Sequence, residues 1–179
     1  MLKLGCMSLS YKDEFAAGKI DLEGFIERAH QMRLDGIDIH TRALASTKPE
    51  YLRTIRMQAL KRGLTLSYIG ISSNFGKPQD QLDNEVDTAK HWIDVAAFMG
   101  IPLVRVFAAW IPEGDTEEAV WARMIPCLQE VASYGQQKGV VETPQRPQMS
   151  MDVVQKNPKS RREREREDPS ELARPSGVV

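Results

Sequence analysis

The sequence predicts an α/β fold of the (β/α)8 TIM-barrel type, truncated to about four βα units and followed by a charged tail. Three observations carry this. Apolar runs of strand length alternate with amphipathic stretches of helix length from Met1 to Val141. Four of the stretches meet the next run through a glycine: Gly36, Gly63, Gly100 and Gly139. The units are about 30 to 40 residues long, the size of a strand with its helical crossover, and such crossovers dictate a parallel sheet. No Gly-x-Gly-x-x-Gly follows the first strand, which favours a barrel over an open dinucleotide-binding sheet.

The first strand is read in the short apolar run Lys3 to Leu9. Asp21 is placed to cap a helix whose positions Leu22, Phe25, Ile26, Ala29 and Met32 share one face. Gly36 to His40 is the second strand. Thr47-Lys-Pro-Glu50 has the form of a capping box, and the helix behind it turns Leu52, Ile55, Ala59 and Leu60 inward. The third strand is Leu64 to Ile71, followed by the polar loop Ser72 to Pro78. A third helix from about Leu82 to Met99 carries Val86, Ala89, Ile93, Ala96 and Ala97 on one stripe, and Pro102 to Phe107 is the fourth strand. Thr116 caps the last helix, with Glu117 and Glu118 in its first turn where carboxylates suit the dipole. Pro126 is expected to kink it, and Val140-Val141 begins a fifth strand.

The chain changes character at residue 142. Residues 1–141 contain every aromatic side chain and read as the N-terminal half of a barrel. Residues 142–179 hold five of the ten prolines and 15 charged residues in 38. Such a segment buries too little apolar surface to offset its ordering entropy, so disorder is predicted. Loss of strand periodicity directly after Val141 is also the pattern of an out-of-frame or truncated reading frame. In Arg161 to Asp168 alternating acids cancel the field that a phosphate backbone requires, so no nucleic-acid partner is predicted.

Formal net charge is −1, and neither a membrane-length apolar run nor a signal-peptide pattern is present, so a cytoplasmic location without a membrane partner is predicted. Cys6 and Cys127 form no CxxC pair and read as reduced thiols. His30, His40 and His91 show no metal-ligand spacing, and no metal ligand or catalytic residue is assigned.

In a βα barrel the site lies at the C-terminal ends of the strands. If Ile37, Ile39, Val104 and Val106 face the helices, then Asp38, His40, Arg105 and Phe107 face the interior. The loops after strands three and four add Ser72, Asn74 and Trp110. Asp38, His40, Asn74, Arg105 and Trp110 are therefore the candidate substrate-binding residues for a hydroxylated or anionic small molecule. Two plainer readings stand beside this one: Asp38 and Arg105 as an internal ion pair, and His40 as a hydrogen-bonded structural residue.

Several segments together, Lys3-Leu-Gly5, Leu34 to Thr41, Ile71 to Pro78, Trp92 to Gly100 and Pro102 to Ala108, resemble bacterial sugar phosphate isomerases/epimerases. These belong to the xylose isomerase-like TIM barrel superfamily, which also holds the apurinic endonuclease type of enzyme. The resemblance covers about residues 3 to 141. It implies a barrel binding a divalent metal (Mn2+, Mg2+, Co2+ or Zn2+) that isomerises or epimerises a sugar or polyol beside a metal-polarised carbonyl. It places an acidic residue at Asp38 and a substrate contact at His40. Its metal ligands come mainly from strands five to eight, and Glu142 arrives too early to be matched to one. Pro144 and Pro147 also speak against a central strand. The chain is thus expected to bind no metal and to be inactive or impaired, and the alternative is a non-catalytic half-barrel module that self-associates as a homodimer.

Overall fold

The computed structural model describes residues 3–145. Five parallel strands, β1 (Gly5–Met7), β2 (Gly36–His40), β3 (Thr65–Gly70), β4 (Leu103–Phe107) and β5 (Val141–Gln145), lie in sequence order in one sheet. Each successive pair is joined by a helical crossover: α2 (Leu22–Gln31) after the short α1 (Lys12–Ala16), then α3 (Pro49–Lys61), α4 (Leu82–Met99) and α5 (Glu117–Lys138). This is the strand order of a (β/α) barrel.

The core lies between the sheet and its helices. Ile37, Ile39, Ile69, Val104 and Val106 are fully buried on that side against Phe25, Ile26, Ile55, Ala89, Ile93 and Ala96. The alternation read from β2 and β4 holds.

Local chemistry sets the helix ends. Asp21 accepts from the Gly24 N–H at 2.8 Å and Thr116 from the Ala119 N–H at 3.2 Å, as their sequence positions predict. Gly63, Gly100 and Gly139 adopt φ of 69°, 71° and 70° at helix ends. Gly36 does not. Arg33 takes the left-handed position there (φ 57°), and Gly36 lies inside β2, where a Cβ would stand 2.7 Å from the Thr65 carbonyl oxygen. Close strand approach, not a helix end, requires that glycine.

Other expectations are corrected. The first strand is only three residues long, because the chain turns into a 3-10 helix (Ser8–Tyr11) and then α1. Ser8 is buried at that turn and its Oγ accepts the His40 N–H at 2.8 Å. The capping box at Thr47 does not form: the helix is preceded by Lys48 without a side-chain cap, and Pro49 occupies its first position. Leu60 is 67% exposed, since it falls one residue off the stripe of Leu52, Ile55 and Ala59. Met32 lies just past the end of α2 and is exposed. Pro126 lies inside helix α5, where its place in the sequence puts it.

Strand β5 crosses the boundary at 141/142. It pairs with β4 from Leu103↔Val141 to Phe107↔Gln145, with Pro144 inside it. The Val141 N–H donates to the Pro102 carbonyl, and the Ala108 N–H donates to the Gln145 carbonyl. These bonds set the backbone groups of Val141, Thr143 and Gln145 toward β4. The nitrogen of Pro144 therefore points to the open edge, where its missing proton costs no ladder bond. The charged run and Pro147 lie outside the described residues.

Candidate functional site

The sheet face opposite the helices carries rows of side chains set by register. One row runs His40, Gly70, Arg105, Thr143 across β2 to β5. Below it are Asp38, paired with Met7, and Tyr68, paired with Leu103. Above it, Phe107 pairs with Gln145. This face, at the C-terminal ends of the strands, gathers Asp38, His40 and Arg105.

Around Asp38 the β2–β3 register slips. Ile37 pairs with Leu66 but Ile39 pairs with Ile69, so Ser67 and Tyr68 together oppose Asp38. The bulge brings the Ser67 hydroxyl onto the Asp38 carboxylate. Burial pushes Asp38 above the ordinary carboxylate range, against the lowering effects of that hydrogen bond and of the Arg105 charge. The sequence carried a signal for this bulge: buried apolar positions fall at Leu64 and Leu66, then change phase to Ile69 and Ile71.

His40 is 2% exposed. Its Nδ1 accepts the Arg42 N–H at 3.2 Å, so in the neutral ring the proton resides on Nε2, which faces the Ser72 Oγ at 3.3 Å. Burial first, then the Arg42 and Arg105 charges, lower its pKa to about 4. His40 is therefore a neutral donor at physiological pH and not a base toward Ser72.

Arg105 does not pair with Asp38 within 4 Å. Its Nη1 donates to the Gln145 Oε1 at 2.6 Å, and its guanidinium lies 4.6 Å from the centre of the Phe107 ring and 6.0 Å from that of Tyr68. Gly70 makes room for it: a Cβ there would stand 2.9 Å from Nη2. Nε and Nη2 are buried without a hydrogen-bond partner. The internal ion-pair reading is thus replaced by an arginine held by an amide and an aromatic ring. Gln145 was invisible to the sequence reading because two prolines in a charged segment hid the end of β5.

Asn74 is a brace between loops. Its Oδ1 accepts both the Gly76 N–H and the Trp110 N–H at 3.0 Å. Two backbone donors require an acceptor, which fixes the amide orientation. Its own N–H donates to the Glu85 Oε2 at 2.8 Å, and Lys77 Nζ sits 2.5 Å from the other oxygen. Glu85, which nothing in the sequence pattern singles out, is 8% exposed. Trp110 is 43% exposed, and its ring centre lies 5.1 Å from that of Phe107.

Glu142 pairs in register with the buried Val104, which places it on the helix side of the sheet, away from the row above. Its Oε1 is buried without a partner, and burial pushes its pKa up to about 7. Among the described residues, no group of three or more His, Cys, Asp or Glu side chains is arranged to hold a metal ion. Those of the inner face do not fit one: Nδ1 of His40 is engaged by backbone, its Nε2 carries a proton, and Asp38, below the row, is the one carboxylate beside it among the described residues. Both cysteines are free thiols.

A parallel sheet in sequence order, helices on one face and polar side chains at the strand C-termini define a barrel-type α/β protein. The chain belongs to the xylose isomerase-like TIM barrel family, whose model matches residues 15–149. No curated protein matches it. Among solved structures it is similar to a D-psicose 3-epimerase from Clostridium cellulolyticum H10 with D-tagatose, at 19% identity and TM-score 0.67, covering 79% of this chain and 51% of that one. It is also similar to the IolI protein with a bound zinc atom, at 16% identity and TM-score 0.66, covering 80% and 51%. A third is a xylose isomerase domain protein from Planctomyces limnophilus, at 13% identity and TM-score 0.62, covering 86% and 57%. The chain thus spans about half the length of these relatives. No helix among the described residues is long and apolar enough to cross a membrane.

Proposed function

We propose that this chain supplies the substrate-facing N-terminal half of a sugar or polyol site of the isomerase/epimerase kind. The observation that carries this is the row His40–Gly70–Arg105, which sets a neutral imidazole and a guanidinium on either side of Gly70 at the C-terminal ends of parallel strands. A fixed cation and fixed donors suit a ligand rich in hydroxyl oxygens, and the neighbouring epimerase with D-tagatose supports that class. Asp38, with its carboxyl drawn upward, contributes an acceptor or, when protonated, a donor.

Binding and turnover separate here. Isomerisation through a metal-polarised carbonyl requires a ligand set that the described residues do not form. The proposal is therefore recognition by these residues without independent turnover. Calorimetric titration of D-tagatose and D-psicose, with and without Mn2+, tests it. Binding is expected, weakened about tenfold by Arg105→Met. An unaltered chain that binds neither sugar, or an Arg105→Met variant that binds equally well, removes the proposal.

A second reading, self-association, is favoured by one feature. Among the described residues β1 and β5 each pair on one side only. Sedimentation of the purified chain over a concentration series distinguishes a monomer from a dimer.

A further inference from the structure

We propose that Asn74, backed by Glu85, is the positioning residue of this site: it locks the loops after β3 and β4 together and so holds the Trp110 indole as a preformed wall for ligand stacking. The ligand half of this inference rests on the sugar or polyol reading above. The brace itself does not.

Two loops that leave neighbouring strands have no intrinsic reason to move together. Here they share one acceptor, since the same Asn74 Oδ1 receives the Gly76 N–H of one loop and the Trp110 N–H of the other. Neither N–H has a ladder partner, so loss of the acceptor would leave both without their bond. The approach is so close that a Cβ on Gly76 would collide with the Trp110 carbonyl oxygen. Further bonds fix the same segment: Ser73 Oγ meets the Phe107 backbone N and O, both at 2.9 Å, and the Phe75 N–H donates to the Ala108 carbonyl at 2.9 Å.

Helices α4 and α5 then anchor the pair from outside. Glu85 of α4 holds the Asn74 N–H and Lys77, while Arg123 of α5 donates to the Gly76 carbonyl at 2.6 Å and pairs with Asp115. The product is a Trp110 backbone fixed from two directions with its ring partly exposed beside Phe107, which in turn packs on Arg105. An indole fixed before binding needs no ordering when the ligand arrives, and its apolar face suits the C–H face of a sugar next to the cation that takes its oxygens.

A merely structural Asn74 would affect melting and leave the Trp110 environment alone, so the test reads that environment directly. The full chain carrying Trp92→Phe and Trp121→Phe keeps Trp110 as its sole tryptophan. In that background, Asn74→Ala is expected to raise acrylamide quenching of Trp110 about twofold, as expected for a loosened loop. It should also weaken D-tagatose binding about tenfold. Asn74→Asp, which keeps the acceptor, should restore both. A folded Asn74→Ala variant with unchanged quenching overturns the proposal. Should that variant fail to fold, amide hydrogen exchange on the unaltered chain decides: protected Gly76 and Trp110 amides support the brace, and exchange at intrinsic loop rates overturns it. If the unaltered chain binds no D-tagatose, the sugar reading falls, while quenching and exchange still decide the brace.

Discussion

Strands β2 and β4 differ from β5 in what they turn toward the helices. In β2 and β4 the helix-facing positions Ile37, Ile39, Val104 and Val106 are apolar and fully buried, and the polar residues Asp38 and Arg105 lie on the other face. In β5 the pattern inverts. Glu142 and Pro144 occupy the helix-facing register positions opposite Val104 and Val106, whereas Val141 faces the inner side and is 59% exposed. The backbone ladder forms in both cases. Hydrogen-bonded pairing therefore tolerates a sequence whose side chains do not match the face they are given, and the mismatch is stored as one buried carboxyl oxygen without a partner, Oε1 of Glu142.

The largest effect should come from the strand that obeys the alternation. Ile39→Ala empties a fully buried position and is expected to cost about 3 kcal/mol in urea unfolding at pH 7. Asp38→Asn, the neighbouring residue on the opposite face, is expected to change stability by less than about 1 kcal/mol, because burial already disfavours its charge. Equal losses at the two positions would mean that the two faces are not distinct.

Much of this contrast was legible in the sequence. The two-residue period of Gly36 to His40 and of Leu103 to Phe107 fixed both faces of β2 and β4, and the glycines at 63, 100 and 139 fixed three helix ends. Three features were not legible, each for a physical reason. Arg33 took a left-handed conformation that residue type alone assigns to glycine, leaving Gly36 free for the close approach of β2 and β3. The bracing role of Asn74, a candidate substrate-binding residue, stays hidden because sequence shows the carboxamide but not the two backbone N–H groups that its oxygen accepts. The end of β5 was hidden because a proline forbids a central strand only when its nitrogen faces a neighbour, and register is a tertiary property.

Glu142 gives the next effect. Its folded pKa of about 7 stands above the unfolded carboxyl value, so the unfolded chain releases this proton first and stability falls as pH rises from about 4.5 to 7. His40 has the opposite sign. Its folded pKa of about 4 lies below the unfolded value, so stability falls as pH drops from about 6.5 to 4. The two slopes oppose each other between those limits. Glu142→Gln should stabilise the chain by about 1–2 kcal/mol at pH 8, by removing a buried charge, and should expose the His40 slope as a steady rise in stability from pH 4 to 6.5. Urea midpoints across that range check both. A variant less stable at pH 8 would place Glu142 in a favourable contact and end the account of β5 as a mismatched strand.

Pro144 gives the smallest effect, and its sign is informative. If its nitrogen faces the open edge, Pro144→Thr gains no ladder bond and only loosens the unfolded chain, lowering stability by about 0.4–1 kcal/mol. If the nitrogen instead faced β4, threonine would supply a missing N–H to the ladder and the variant would be more stable. The bonds from Val141 to Pro102 and from Ala108 to Gln145 fix the first geometry. Denaturant unfolding of Pro144→Thr, measured with Glu142→Gln already in place to remove the neighbouring carboxyl, therefore tests the register of β5 by the direction of the change alone.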